Sequence, residues 1–464
     1  MNYRFISRQG SRRLILIFAG WGMDSRPFEG LHRSGYDIMV VWDYRSFHID
    51  WSCVEDYDEI CLLAWSMGVF AAGQTIHAID SRITRRVAVN GTLWPIDDDY
   101  GIPTAIFRGT LDNLNERNLT KFYRRMCADR ATFEAFEARR PDRDIEGLRD
   151  ELRAIEERMI LTNVTMDGCD LAVCSDADAI FPIKNQLASW RRWDTTVRRL
   201  PAGGHLVDFQ EIIDREFVDK STMTDRFARG RSTYDGNATV QTEAAGRLIM
   251  MAERHCRDAM LECRGNILEV GCGSGNLSRR LMCMAPNARF LLWDIAGDCP
   301  ADLPAHADYR FERCDAELAI NRVPPESLDF IVSASTIQWF NSPDRFLTQC
   351  HRALRRKGCL LLTTFCRGNL AELTALTGRS LHLPDAERWA EMGERLFEVT
   401  DTEAYTRDID FATPMDVLRH LRDTGVNSLG SNAGVRTLME RYPMRLDCRY
   451  HLTYKPFIML LTKQ

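Results

Sequence analysis

The sequence lacks three features that would each assign a 464-residue chain to a particular class of protein. It has no excess of basic residues, and the net charge of −6 argues against a general nucleic-acid binder. It has no apolar run long enough to cross a membrane, because the longest runs, such as residues 14–19, are only as long as a strand. It also contains no internal repeat or low-complexity tract.

The fifteen cysteines lack the spacing of a metal or disulfide site. No C-x-x-C pair occurs, and Cys61, Cys174 and Cys359 lie inside apolar, strand-like runs. We therefore expect reduced, mostly buried thiols, no bound metal and a cytoplasmic protein. The first residues lead directly into a strand-like pattern without a signal-peptide core, which agrees with that expectation.

Length and element order predict two α/β domains, residues 1–218 and 219–464. In each part, short apolar strands alternate with helices, which is typical of a parallel sheet with helical crossovers. The pattern restarts after residues 219–221. The predicted strands are 14–18, 38–41, 59–64, 86–90, 104–107 and 170–174 in the first part, and 266–270, 290–293, 330–333 and 359–365 in the second.

A charged helical stretch is predicted over about residues 114–165. Nine arginines between Arg124 and Arg158 are interspersed with ten acidic residues, which indicates a solvated helical face with ion pairs between successive turns. The stretch could also form a helical lid over a substrate groove of the first domain. The two interpretations are compatible.

Residues 60–68 have the pattern of a nucleophile elbow, in which a serine occupies a sharp turn between a strand and a helix. The turn places Ser66 above the sheet edge and requires small residues two positions away, here Ala64 and Gly68. The oxyanion of an ester intermediate needs two backbone N–H donors. We expect Met67 to supply one, and Trp21, in the glycine-flanked loop after the strand 14–18, to supply the other.

A base and an acid follow Ser66 in the chain order of α/β-hydrolases. His205, in a glycine-rich loop, is the predicted base. Asp178 is the favoured acid because residues 179–182 are typical of the exit from that strand, whereas Asp176 and Asp112 remain alternatives. Together these residues predict ester hydrolysis through an acyl-enzyme.

The most specific pattern of the chain is the glycine loop after the strand 266–270. Gly271, Gly273 and Gly275 have the spacing G-x-G-x-G, whereas a dinucleotide-binding loop has G-x-G-x-x-G. Glu269 precedes them, and an acidic residue suits a cationic ligand better than a pyrophosphate.

Further polar residues follow the next strands of this domain. Asp294, nineteen residues after the last glycine, ends a strand and could accept both hydroxyls of a ribose. Asp315, followed by Ala316, is placed for the amine of an adenine. A fourth strand leads to Gln338 and Trp339 at the edge where doubly wound sheets bind ligands.

This order of motifs resembles the class I S-adenosylmethionine-dependent methyltransferases, whose fold is Rossmann-like. From Ser221 to the C-terminus, the chain is similar to the malonyl-acyl-carrier-protein O-methyltransferases of biotin synthesis. The residues that carry this resemblance are 225–228, 233–235, Ala238-x-x-Gln241, 314–317 and 335–339.

Residues 1–215 resemble an α/β-hydrolase family that includes pimeloyl-acyl-carrier-protein methyl ester esterases. The residues that carry this second resemblance are 20–23, 64–68, 90–92 and 121–126. The two resemblances imply a bifunctional enzyme of biotin synthesis that uses S-adenosylmethionine and acyl-carrier-protein substrates. Methylation would hide the malonyl carboxylate during chain elongation, and hydrolysis would restore it afterwards.

The resemblance implies a pocket for the acceptor that contains Tyr234, Gln338 and Trp339, with no catalytic base. An arginine is expected to pair with the malonyl carboxylate, and Arg226, Arg229 and Arg231 are the candidates. An acidic carrier protein favours a basic docking surface. Two clusters are candidates for it: Arg191, Arg192, Arg198 and Arg199, and Arg352, Arg355, Arg356 and Lys357.

Two other functions fit the same motifs. The methyltransferase could act on small molecules and be fused to an unrelated acyl hydrolase. Alternatively, the first domain could be an inactive hydrolase that serves as a docking module for the carrier protein.

Overall fold

The computed structural model describes residues 1–161, 168–377, 381, 383–424, 441–444 and 449–464, without the side chains of 230–233 and 235. The chain divides into two compact units, Met1–Phe217 and Val218–Gln464. Within the described ranges, no helix combines the length and apolar composition needed to cross a membrane.

The first unit is built on a mostly parallel sheet. Its strands are β1 (Asn2–Ser7), β2 (Arg13–Phe18), β3 (Asp37–Trp42), β4 (Glu59–Trp65), β5 (Ile83–Val89), β6 (Leu171–Ser175) and β7 (Thr196–Leu200). They are ordered β1-β3-β2-β4-β5-β6-β7, and only β1 is antiparallel to its neighbour. The strands β2 and β4 are rich in leucine and isoleucine and almost wholly buried, as expected of a sheet covered on both faces.

Helices connect these strands and form a large insertion between β5 and β6. The helices are α1 (Gly68–Thr75), α2 (Thr104–Asp112), α3 (Glu116–Met126), α4 (Arg130–Glu137), α5 (Ile145–Leu161), α6 (Ile183–Arg192) and α7 (Phe209–Glu216). The insertion consists of α2 to α5. Its last three helices lie in the stretch predicted to be helical, of which residues 162–165 are outside the described ranges.

The predicted strand 104–107 is wrong, because these residues begin α2. Pro103 precedes the helix, and Phe107 and Leu111, four residues apart, are both buried along one face of it. A four-residue apolar run does not distinguish a strand from a helix by its period alone. Here the helical spacing of the two buried side chains decides the conformation.

The second unit contains a seven-stranded sheet and a two-stranded sheet. Its strands are β8 (Asn266–Val270), β9 (Arg289–Asp294), β10 (Asp308–Arg313), β11 (Leu328–Ala334), β12 (Leu354–Phe365), β13 (Glu398–Ala404), β14 (Arg407–Phe411), β15 (Tyr450–Tyr454) and β16 (Pro456–Thr462). The large sheet has the order β10-β9-β8-β11-β12-β16-β13. The strand β16 is antiparallel to both of its neighbours, whereas the remaining pairs are parallel.

Helices precede and separate these strands. They are α8 (Lys220–Asn237), α9 (Thr239–Leu261), α10 (Asn276–Met284), α11 (Ala316–Ala319), α12 (Pro343–Ala353), α13 (Ala371–Thr377), α14 (Ala386–Glu394) and α15 (Pro414–Asp423). The loops after β8, β9, β10 and β11 leave the carboxyl ends of parallel strands, where sheets of this kind bind ligands. The two predicted α/β architectures are confirmed.

Candidate active sites

The turn after β4 holds Ser66 in a conformation that side-chain-bearing residues rarely adopt. Trp65 ends the strand, Gly68 begins α1, and Ser66 between them has a φ of 60°. A Cβ atom on Gly68 would lie 2.4 Å from the carbonyl oxygen of Phe18. One on Gly91 would lie 2.2 Å from the carbonyl oxygen of Ser66. Both positions therefore require glycine, and their close backbone contacts hold the serine in place.

Three side chains of the first unit form one hydrogen-bonded chain. His205 Nε2 lies 2.9 Å from Ser66 Oγ, and His205 Nδ1 lies 2.9 Å from Asp178 Oδ2. The side chains of His205 and Asp178 are 1% and 0% exposed. In this arrangement a histidine can take the proton of a serine while a carboxylate fixes the orientation of its ring.

The other two candidate acids do not contact His205. Asp176 Oδ1 accepts a hydrogen bond from Arg199 Nε at 2.7 Å. Asp112 is exposed at the end of α2. Of the three carboxylates that the sequence offers, the structure brings only Asp178 to the histidine.

Two buried amides that the sequence analysis gave no role hold this chain of side chains. Gln186 Nε2 donates to Asp178 Oδ2 at 3.0 Å. Asn90 Nδ2 donates to the carbonyl oxygen of His205 at 2.9 Å and to Ser175 Oγ at 2.9 Å. Asn90 is part of residues 90–92, which carry the resemblance to the esterase family, so its motif was visible in the sequence. The role of Gln186 was not, because no motif marks it.

Trp21 and Met67 lie beside Ser66 and line the pocket above it. Neither backbone N–H donates a hydrogen bond to a described residue, so both are available to donate hydrogen bonds to an oxyanion. The loop of Trp21 is tied to the helical insertion twice. Trp21 Nε1 donates to the carbonyl oxygen of Leu148 in α5 at 2.9 Å, and Tyr123 Oη in α3 donates to that of Gly22 at 2.9 Å.

The pocket above Ser66 is mainly apolar and is roofed by the insertion. The helices α2, α3 and α5 all contribute to its lining. The lining side chains that these helices contribute are Ile106, Phe107, Thr110, Phe122, Arg125 and Leu152. An apolar pocket with one arginine at its wall suits an acyl chain better than a polar substrate.

The glycine loop of the second unit follows β8, as predicted. Gly271, Gly273 and Gly275 have φ values of 78°, 50° and 81°. A Cβ atom on Gly271 would lie 2.0 Å from Thr336 Oγ1, whereas one on Gly273 would meet nothing within 4 Å. Gly271 is therefore required by packing against the protein, and Gly273 leaves its backbone open to a ligand. Asp294 Oδ2 accepts from the backbone N–H of Gly273 at 2.8 Å, which fixes the loop to the end of β9.

Glu269 is a buried ionisable group of this site. It is 1% exposed and lines the pocket, and among the described residues Ser278 is the neighbour whose hydroxyl favours its ionised form. Burial raises the pKa of Glu269 to about 8. A buried carboxylate is costly when no ion pair with a described residue compensates its charge, so this pocket fits a ligand that carries positive charge.

Asp315 and Ala316 lie at the start of α11 and line the same pocket, whose volume is about 180 Å³. Lys220 Nζ, which is buried, lies 2.8 Å from Asp315 Oδ2 and 2.6 Å from Glu317 Oε2. The lysine thus connects the start of α8 to the strand ends. Lys220 was not predicted as a site residue, because nothing in the neighbouring sequence marks it as buried.

A smaller pocket of about 40 Å³ shares five lining residues with the large one and therefore adjoins it. The five are Phe227, Tyr234, Gln241, Ser335 and Trp339. Gln338 lines only the smaller pocket. Its Nε2 donates to the carbonyl oxygen of Ser335 at 2.5 Å, and its buried Oε1 has no partner among the described residues.

The candidate arginines do not line either pocket of the second unit, as far as its residues are described. Arg229 is exposed, and its Nε donates to the carbonyl oxygen of Asp225 at 3.1 Å. The side chain of Arg231 is outside the described part of the chain.

The two predicted basic clusters are partly neutralised within the protein. Arg198 and Arg199 pair with Glu216 and Asp176, respectively. Arg355 pairs with Asp329. Their role in docking stays a prediction.

Sequence comparisons match these two units separately and together. The model of the pimeloyl-ACP methyl esterase BioG family matches residues 1–213, and that of a methyltransferase domain matches residues 267–358. A malonyl-[acyl-carrier protein] O-methyltransferase of Bacteroides fragilis is 32% identical over 467 residues, covering 98% of this chain and 93% of its own. The chain belongs to this methyltransferase family. It joins an esterase-family region to a methyltransferase domain, which confirms both resemblances.

Two further relatives match one half each. A family member from Haemophilus influenzae is 31% identical over 214 residues, which are 46% of this chain and 79% of that protein. The crystal structure of BioG from the same organism is 36% identical and covers 45% of this chain and 94% of that one, with a TM-score of 0.41.

Proposed function

We propose that the chain is a bifunctional enzyme of biotin synthesis. Its second unit methylates the free carboxylate of malonyl-acyl-carrier protein with S-adenosylmethionine. Its first unit hydrolyses pimeloyl-acyl-carrier-protein methyl ester to the free acid and methanol. The observation that carries the proposal is the hydrogen-bonded chain of Ser66, His205 and Asp178 in the region that matches the esterase family.

In the first unit, Ser66 Oγ attacks the ester carbonyl while His205 takes its proton. The N–H groups of Trp21 and Met67 stabilise the oxyanion. The intermediate collapses to an acyl-enzyme as the bond to the methoxide oxygen breaks, and His205 gives the proton to that oxygen, which leaves as methanol. Water activated by His205 then releases the carboxylic acid and restores Ser66. We assign the lid role to the insertion α2 to α5, whose apolar side chains would hold the acyl chain.

In the second unit, S-adenosylmethionine would supply an activated methyl group. Glu269 would face its positive charge, and the open backbone of Gly273 would allow its close approach. Asp294 would accept hydrogen bonds from the ribose, and Asp315, next to Ala316, would accept one from the adenine amine. Tyr234, Gln338 and Trp339 would bound the acceptor. The acceptor carboxylate is already ionised near neutral pH, so the protein contributes positioning and removal of water rather than proton transfer.

The fusion requires the esterase to spare the product of the methyltransferase. We therefore expect the pocket above Ser66 to reject malonyl methyl esters, which are too short to fill its apolar wall, and to accept longer esters. Equal rates of cleavage of the two carrier-bound esters would contradict this expectation.

Mass spectrometry of two separate reactions tests the proposal. With S-adenosylmethionine, malonyl-carrier protein should gain one methyl group. Pimeloyl-carrier methyl ester should lose one, and Ser66→Ala should abolish only this second reaction. No change on either carrier would overturn the biotin-pathway assignment.

A further inference from the structure

The small pocket beside the large one carries no charged side chain among its described residues. Its walls are largely aromatic and aliphatic, including Phe227, Trp339, Phe365 and Leu370. An anion that entered this pocket would lose water, and its described lining residues offer it neutral hydrogen-bond donors rather than positive charge. The donors present therefore decide what the pocket binds.

Asn369 presents such a donor in a fixed orientation. Its Oδ1 accepts a hydrogen bond from the backbone N–H of Lys455 at 3.0 Å. That contact identifies the oxygen and leaves Nδ2 as the other end of the amide. No described residue accepts from this Nδ2, and Asn369 lines the small pocket.

Gln241 presents a second amide at the boundary between the two pockets. It is 8% exposed, lines both pockets and makes no side-chain hydrogen bond with a described residue. The rest of the residue is packed away from solvent, so its amide is available to a ligand only from the side of the pockets that it lines. Gln338 is different, because its Nε2 is already bound to the carbonyl oxygen of Ser335 and its Oε1 would repel an anion.

We propose that the amides of Gln241 and Asn369 bind the carboxylate that accepts the methyl group, in place of the expected arginine. This inference rests on the proposed methylation and names the residues that select its acceptor. Neutral donors orient the carboxylate without neutralising its charge, so an oxygen remains nucleophilic toward the methyl carbon. That oxygen forms the new bond to carbon, the bond from carbon to sulfur breaks, and its electron pair goes to sulfur. The resulting ester has lost its negative charge and binds these donors more weakly.

Two nearly isosteric variants of the full chain test the inference. Asn369→Asp and Gln241→Glu each replace a donor by a carboxylate. We expect the KM for malonyl-carrier protein to rise on the order of 10- to 100-fold, as for a lost hydrogen bond to a charged group. The dissociation constant of S-adenosylmethionine, measured by calorimetry, should not increase. Asn287→Asp, which adds the same charge at an exposed position outside both pockets, is the matched control and should change neither constant.

Acetyl-carrier protein, which lacks the carboxylate, separates recognition from folding. Its inhibition constant against malonyl-carrier protein should be unchanged in the two variants. If the KM for malonyl-carrier protein, the dissociation constant of S-adenosylmethionine and the inhibition constant of acetyl-carrier protein all increase together, the amides are structural and the inference is wrong. If the wild type methylates malonyl-carrier protein and the variants do so equally well, the inference fails while the proposed function stands. If the wild type itself does not methylate malonyl-carrier protein, both the inference and the proposed methylation are wrong.

Discussion

The two units differ in where the bonding partners of their functional groups are found. In the first unit, Ser66, His205 and Asp178 are hydrogen-bonded to one another. In the second, Glu269 forms no ion pair with a described residue, and it lines the pocket together with Gln241. The first site is assembled before any ligand arrives, whereas the second is completed by what it binds. A site that performs covalent chemistry with its own side chains must hold them in register beforehand.

The strongest test of this difference is Ser66→Ala. We expect the esterase rate to fall about a thousandfold or more, since residues of such a chain act as one unit. The methyltransferase rate should not change. A fluorophosphonate probe should label the wild type at Ser66 and leave the variant unlabelled. A wild type that escapes labelling would show that the first unit is an inactive hydrolase.

The second test concerns Glu269. A cationic ligand favours the ionised carboxylate, so the pKa of Glu269, about 8 without ligand, should fall on binding. Binding then releases a proton, and the affinity for S-adenosylmethionine should increase with pH up to about 8 and level off above it. Glu269→Gln should weaken binding on the order of 30-fold at pH 9 and flatten the profile.

S-adenosylhomocysteine, which lacks the sulfonium charge, is the matched ligand for that titration. It should show a shallower pH profile than S-adenosylmethionine in the wild type. Identical profiles for the two ligands, measured by calorimetry, would mean that Glu269 does not sense the sulfonium.

A smaller effect is expected where a pre-assembled site loses one of its supports. Asn90→Gly keeps the positive φ of this position, 44°, and removes the amide that bonds the carbonyl oxygens of Gly204 and His205 and both the backbone N–H and the hydroxyl of Ser175. We expect kcat of the esterase to fall about tenfold, with little change in KM, because Trp65 Nε1 still donates to the carbonyl oxygen of His205 at 2.9 Å. A rise in KM with unchanged kcat would assign Asn90 to substrate binding instead.

A further difference, in stability rather than in rate, separates two glycines of the loop after β8. Gly271→Ala would place a methyl group against Thr336 and should lower the free energy of unfolding by about 2–3 kcal/mol. Gly273→Ala meets only open space, so the backbone strain alone should cost about 1 kcal/mol. Its main effect should be weaker binding of S-adenosylmethionine. Denaturant titrations and ligand titrations of both variants measure these effects, and equal losses of stability would contradict the distinction.

The sequence was most informative where a local turn determines the chemistry. The turn at Ser66 and the three glycines after β8 were recognisable because their spacing reflects backbone conformation. Residues whose partners are determined by tertiary packing rather than by a local motif were not recognisable in the same way. Gln186 and Lys220 acquire their partners only on folding, the latter from a residue 95 positions away. The choice among three candidate acids was likewise a matter of tertiary position, as was the helix at residues 104–112.

The two hydrogen bonds between the Trp21 loop and the helical insertion link access to reactivity. The helices that cover the pocket also hold the backbone that would stabilise the oxyanion. A displacement of α5 that admitted a bulky substrate would release the indole of Trp21 and with it one of the two oxyanion donors. If Trp21 supplies an oxyanion donor as proposed, we expect efficient ester hydrolysis only with acyl chains that leave these two hydrogen bonds intact.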